Sequence, residues 1–177
     1  MDAVSVFPSP VAISAMYQLP HFFRHRWLST AADGWQLAGM AVFQTGFPFT
    51  VTMSSDVANI GQYANSERAN QIGDPHLAHP TAARWFNTAA FAAPAAYTFG
   101  SAGRNTLDGP GKRSLDLALT KFFPIYREEH LQFRAEYFNL PNHPNLGMPG
   151  HSYGSSTFGV IQSADERIGQ FALKYIF

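Results

Sequence analysis

The sequence predicts an all-β fold of antiparallel strands of membrane-spanning length, and three observations predict it. Five segments of about ten residues alternate apolar and polar side chains with period two. Charged residues make up only 14% of the chain while aromatics reach 15%; the usual charged share is about 25%. No window approaches the roughly 18 uninterrupted apolar residues of a membrane helix. A chain of 177 residues can hold one domain with a real core, so one domain is expected over residues 1–177. These totals fit a piece of a membrane β-barrel, and they also fit a compact soluble β domain.

The first strand is read in "PVAISAMYQL" (Pro10 to Leu19), where Val11, Ile13, Ala15, Tyr17 and Leu19 share a face. The second, "GWQLAGMAVFQTG" (Gly34 to Gly46), sets Trp35, Leu37, Ala41 and Phe43 against Gln36 and Gln44. In the third, "SLDLALTKFF", Leu115, Leu117 and Leu119 stand opposite Asp116, Ala118 and Thr120. The fourth, "HLQFRAEYFNL", is the cleanest: Leu131, Phe133, Ala135 and Tyr137 alternate with Gln132, Arg134 and Glu136. Glu, Leu, Gln, Arg and Ala also favour helices. At 3.6 residues per turn, however, Leu131, Phe133 and Tyr137 leave any single stripe, and period two fits better. The fifth, "RIGQFALKYIF", places Phe171, Leu173, Tyr175 and Phe177 on one face and Gln170, Ala172, Lys174 and Ile176 on the other.

The connections are uneven. "FFPIYREEH" is short and "PHFFRHRWLSTAAD" moderate, whereas the stretch from about Pro48 to Lys112 is very long and rich in Asn, Ala, Pro and Gly. A second irregular stretch, "PNHPNLGMPGHSYGSSTFGVIQSAD", precedes the fifth strand. Structureless connections beyond about fifteen residues are uncommon in compact domains. Antiparallel pairing puts the two shorter turns at one end of the sheet and the two long loops at the other, an asymmetry that outer-membrane barrels share.

Composition also excludes functions. Twelve basic and twelve acidic residues give a formal net charge of zero, which argues against a nucleic-acid partner. The absence of cysteine removes disulfides and thiolate chemistry. The opening "MDAVSVFPSPVAIS" lacks the basic start and compact apolar core of a signal peptide. His76 and His79 in "DPHLAHP", with Asp74, have tolerable metal spacing, but Pro75 and Pro80 mark a loop and no cysteine accompanies them. They read as ordinary loop histidines, as do His143 and His151. His21 and His25, beside Arg24 and Arg26, read as an interfacial basic cluster.

Gln132, Arg134 and Glu136 alternate to one side of the fourth strand with no nucleophile or third partner. They read as lumen-facing polar groups, with Asp116 on the same side. "SAGRNTLDGPG" lacks the phosphate-loop frame and is a turn. Trp35, Phe43, Phe133 and Tyr137 read as lipid-facing. The expectation is a non-enzyme with no catalytic, metal or cofactor residues.

Four stretches, in order, carry a resemblance: "GWQLAGMAVFQTGFPFTV", "AGRNTLDGPGKRSLDLALTKFF", "LQFRAEYFNLPNHPNLG" and "IGQFALKYIF". Together they resemble the C-terminal end of the barrel of TonB-dependent outer-membrane receptors, most closely the Oar-like branch with a carboxypeptidase-regulatory-like domain. Pro141 stands where that family tends to place an aromatic. The resemblance implies a C-terminal partial barrel with two long loops, in the outer membrane. The plug, the TonB-contacting segment and most of a barrel of about twenty-two strands would be absent. It further implies a ligand-uptake receptor of which this chain is a structural part, not competent alone. Its partners would be outer-membrane lipid, the rest of the barrel and plug, and the barrel-assembly machinery, with TonB reached only through the missing N-terminal part. Phe171, Leu173, Tyr175 and Phe177 match the family's barrel-assembly signal. The competing readings are a soluble β-rich module that binds carbohydrate or protein and, more weakly, a loop-built metal-dependent hydrolase.

Overall fold

The computed structural model describes residues 10–20, 32–61 and 67–177. All five expected strands are present, as Val11–Gln18, Trp35–Gln44, Lys112–Tyr126, Glu129–Phe138 and Ile168–Ile176. They are called the first to fifth strands below. One sheet takes them in chain order. The first and second are antiparallel, as are the third and fourth and the fourth and fifth. Leu117 lies against Gly39 and the Lys121 ammonium over the Trp35 ring, so the second and third also run in opposite directions. The sheet is a meander in which every strand pairs with its sequence neighbours.

Registration keeps the expected faces together. Tyr17 pairs with Leu37, Leu119 with Ala135, and Ala135 with Phe171. On the opposite side Ala118 pairs with Glu136 and Glu136 with Gln170. Because the side-chain period is two, each of these pairings fixes the face of its whole strand. One face is thus nearly continuous Val, Ile, Leu, Ala and aromatic. Its large side chains are left uncovered, with Ile13 60%, Phe171 67% and Leu173 66% exposed. A water-soluble sheet would cover such a face, whereas a membrane strand presents it to lipid.

The third strand runs to Tyr126, three residues beyond the end read from sequence. Pro124 lies inside it, and the register shifts between Pro124 and Tyr126. Proline cannot donate to the ladder, so a bulge is where a strand tolerates it. Only Arg127 and Glu128 remain to reverse the chain, and Arg127 takes a φ of 50°.

The residues group into two compact units. One holds the sheet: Pro10–Gln44, Arg113–Pro144 and Glu166–Phe177. The other joins Thr45–Lys112 to Asn145–Asp165. The second unit corrects the reading of the long connections as irregular. Its core is Phe49, Val51, Met53, Ala69, Phe86, Ala90, Phe91, Ala102 and Leu107. The Phe86 ring meets Phe49 at 5.8 Å, Phe91 at 5.9 Å and Phe158 at 5.2 Å.

Two-residue strand pairs tie this unit together. Pro48–Phe49 pairs antiparallel with Leu107–Asp108, and Thr52–Met53 pairs parallel with Ser152–Tyr153. The second of these joins the two loops directly. Gly46 permits a close approach, since a Cβ there would sit 1.7 Å from the Gly109 carbonyl oxygen.

Candidate functional site

The polar face of the sheet carries the groups expected to face the lumen. Gln132, Arg134 and Glu136 project from it in alternate positions of the fourth strand, and Gln170 and Lys174 stand opposite on the fifth. Arg134 Nη2 pairs with Glu136 Oε1, and Gln170 Nε2 donates to Glu136 Oε2. One carboxylate is therefore shared by two donors from two strands. Arg134 is half exposed and Glu136 less so, which leaves the guanidinium accessible.

The Asp116 side chain works at the loop end of the same face. Its Oδ1 accepts from Ser114 Oγ at 2.6 Å and from the Asn139 backbone N–H at 2.8 Å. Asn139 is 4% exposed with a φ of 52°; it donates from Nδ2 to the His143 carbonyl at 2.8 Å and accepts from the His143 N–H at 3.1 Å. Asn is the side chain that tolerates this backbone and bonds its own neighbours, so it turns the chain out of the fourth strand. Sequence reading placed Asp116 on this face but missed its capping role; the signal was the "FNLPN" punctuation.

A concavity of about 440 Å³ lies on this face, lined by Met16, Met40 and Phe138 as well as by Asp116, Arg134 and Glu136. This face is therefore less polar than the alternation of the fourth strand alone implies.

On the other face, Phe171, Leu173 and Tyr175 lie in line along the fifth strand. Phe171 meets Tyr137 edge-on at 6.0 Å, and Phe177 stacks on Tyr175 at 6.0 Å. The Tyr175 hydroxyl donates to Glu129 Oε2 at 2.7 Å. A buried charge also sits on this apolar face at Lys121, which sequence reading did not place. It is 1% exposed, with its ammonium 5.3 Å from the Trp35 ring centroid and 5.0 Å from that of Phe123, and it donates to the Asp33 carbonyl oxygen. Two aromatic faces and a backbone acceptor replace the water it gives up.

The described histidines have separate surroundings. Asp74 Oδ1 accepts from the His76 backbone N–H at 3.0 Å and faces His76 Nδ1 at 2.8 Å, and these contacts hold the Asp74 carboxyl below the usual carboxylate range. His79 is exposed, and His151 packs on Phe49 at 6.0 Å. Among the described residues no three His, Asp or Glu side chains form a metal cluster. The expected basic cluster of His21, Arg24, His25 and Arg26 lies outside the described residues. Asp56 also sits below the usual range, first through its contact with Glu67 and then through the N–H groups of Ile60 and Gly61.

A family model described as an outer membrane beta barrel domain matches residues 6–170. Comparison with curated proteins and with solved structures gave no match.

Proposed function

The chain belongs to the outer membrane beta barrel domain family and is an outer-membrane protein, and from that premise we propose that it is a wall segment of a TonB-dependent, Oar-like uptake receptor. The observation that supports this most is the two-sided wall. A nearly continuous apolar face for lipid backs onto inward-facing Gln132, Arg134 and Glu136, while the long connections leave the sheet at the end opposite its tight turn. Strands can cross hydrocarbon only in a closed barrel, because every backbone polar group needs a partner there. Five strands in one open sheet do not close, since single-chain barrels begin at about eight. Further barrel strands would pair with the free edges of Val11–Gln18 and Ile168–Ile176.

In this reading Arg134 and Glu136 meet a plug or water, and Phe171, Leu173, Tyr175 and Phe177 form the face that the assembly machinery grips. The chain supplies wall and external loops rather than catalysis, and binds no cofactor. Immobilised TonB periplasmic domain should retain the form of this protein that cells assemble. An intact barrel, shown by heat-modifiable mobility, that TonB fails to retain would contradict the receptor reading.

A further inference from the structure

The segment 147–163 closes into a ring with a shape of its own. At its mouth the Gly147 N–H donates to the Ser163 carbonyl at 2.8 Å. Further in, the Gly150 N–H donates to the Val160 carbonyl at 2.9 Å, and the Gly159 N–H donates to the Gly150 carbonyl at 2.7 Å. Glycine is needed at Gly150, where a Cβ would fall 2.1 Å from the Thr157 carbonyl oxygen, while at Gly147 a Cβ would oblige the Ser163 hydroxyl to turn away. The ring is anchored below by Ser152–Tyr153, paired with Thr52–Met53, and by Phe158, packed on Phe86. Its shape therefore rests on the protein's own hydrogen bonds and core.

Within it lies a depression of about 440 Å³, large enough for a small ligand. Its polar lining is His151, Ser152, Ser155, Thr157, Gln162 and Ser163, and among the described residues no Asp, Glu, Lys or Arg lines it. Ser155 Oγ and Thr157 Oγ1 are 3.3 Å apart, within hydrogen-bonding reach of each other. Hydroxyls and an amide can each donate and accept, so they match a ligand that presents both. A charged ligand would lose its hydration here without meeting an opposite charge.

We propose that this depression is a binding site for a small, uncharged, polyhydroxylated ligand of mono- or disaccharide size. The inference names a ligand class for the uptake reading and takes its biological use from that reading. Binding itself is measured separately from TonB retention, so the two can fail independently.

The test is calorimetric titration of the full chain, refolded in detergent and checked by circular dichroism. The probes are glucose, galactose, maltose and sucrose, with glucuronate and glucosamine as charged counterparts of the same size. A neutral sugar should bind saturably, and the charged analogues at least about 10-fold more weakly. Thr157→Val keeps the side-chain shape and removes the hydroxyl, and should weaken binding about 3- to 10-fold. Thr157→Ser should restore binding to within about 2-fold. The proposal is overturned by tighter binding of a charged analogue, or by no neutral-sugar binding to β-folded chain. Thr157→Val binding as well as wild type, or equal binding by urea-unfolded chain, would also overturn it.

Discussion

Phe86→Ala should open the loop unit while leaving the sheet in place. Phe86 is 1% exposed and its ring touches those of Phe49, Phe91 and Phe158. Truncating a buried Phe to Ala typically costs about 3–5 kcal/mol in lost transfer energy and residual cavity. Each edge-on or tilted ring pair contributes about 0.5–1.5 kcal/mol of that class of stabilisation. Thr45–Lys112 and Asn145–Asp165 together hold 89 residues. At about 0.05–0.15 kcal/mol per residue, such a unit has roughly 4–13 kcal/mol in all. The substitution therefore removes a quarter or more of the unit's stability.

Native-state hydrogen exchange of the full chain in detergent reads this directly, because the Ala102 N–H is bonded to the Ala69 carbonyl and the Ile72 N–H to the Ala90 carbonyl, both inside the unit. Their protection should fall by about two to four powers of ten, while amides of the fourth strand keep theirs. Phe99→Ala, at a side chain 70% exposed, is the control and should change protection by less than about 3-fold. Equal effects from the two substitutions would mean that the long connections have no cooperative core, and the reasoning would be wrong.

Gly100→Ala would place a methyl group 2.0 Å from the Arg68 carbonyl oxygen, so it should cost more than about 2 kcal/mol in exchange protection of the loop unit; a neutral result would refute the close backbone approach. Acidification should release the turn at His76: a lowered Asp74 pKa adds stability that is present above the unfolded carboxyl's value and is lost as pH falls through the lower folded value. The His76 amide shift should titrate below the usual aspartate range, and Asp74→Asn should abolish that titration. In a complete receptor barrel, Phe177→Ser should lower the yield of folded protein in outer membranes more than Ile176→Ser does, since Ile176 pairs with His130 on the face opposite Phe171, Leu173 and Tyr175. Equal yields at equal expression would remove Phe177 from the assembly signal.

The sheet was legible because alternation is local: ten residues carry enough of the period-two pattern to reveal each strand and its faces. "SLDLALTKFF" shows where that signal ends. Lys121 follows the leucines on the apolar face and Phe122 falls among the polar groups, reversing the pattern. Only the placement of Trp35, Phe123 and Asp33 around Lys121 makes that choice intelligible. The loop unit was illegible for a different reason. Its core gathers Phe49, Phe86 and Phe91 from the first long connection and is joined by Tyr153 and Phe158 from the second, through strands of two residues. Nothing periodic marks contacts so short and so distant in sequence. The ring at 147–163 has the same character: its glycines were visible as turn residues, but the hydroxyls that share its depression meet only in the fold. At the candidate lumen site, Gln132, Arg134 and Glu136 could be read from alternation, whereas the methionines opposite them could not.

The central claim is that the fifth strand has one face to lipid and one to the barrel interior, and a cysteine scan tests it most directly. These 177 residues contain no cysteine, so each introduced thiol is unique among them. Single cysteines at Gln170, Phe171, Ala172, Leu173, Lys174 and Tyr175 would carry a fluorophore in the assembled barrel. Brominated lipids should quench the label at Phe171, Leu173 and Tyr175, and aqueous iodide should quench it at Gln170, Ala172 and Lys174. Quenching by iodide at all six positions, or lipid quenching without the period of two, would contradict the account.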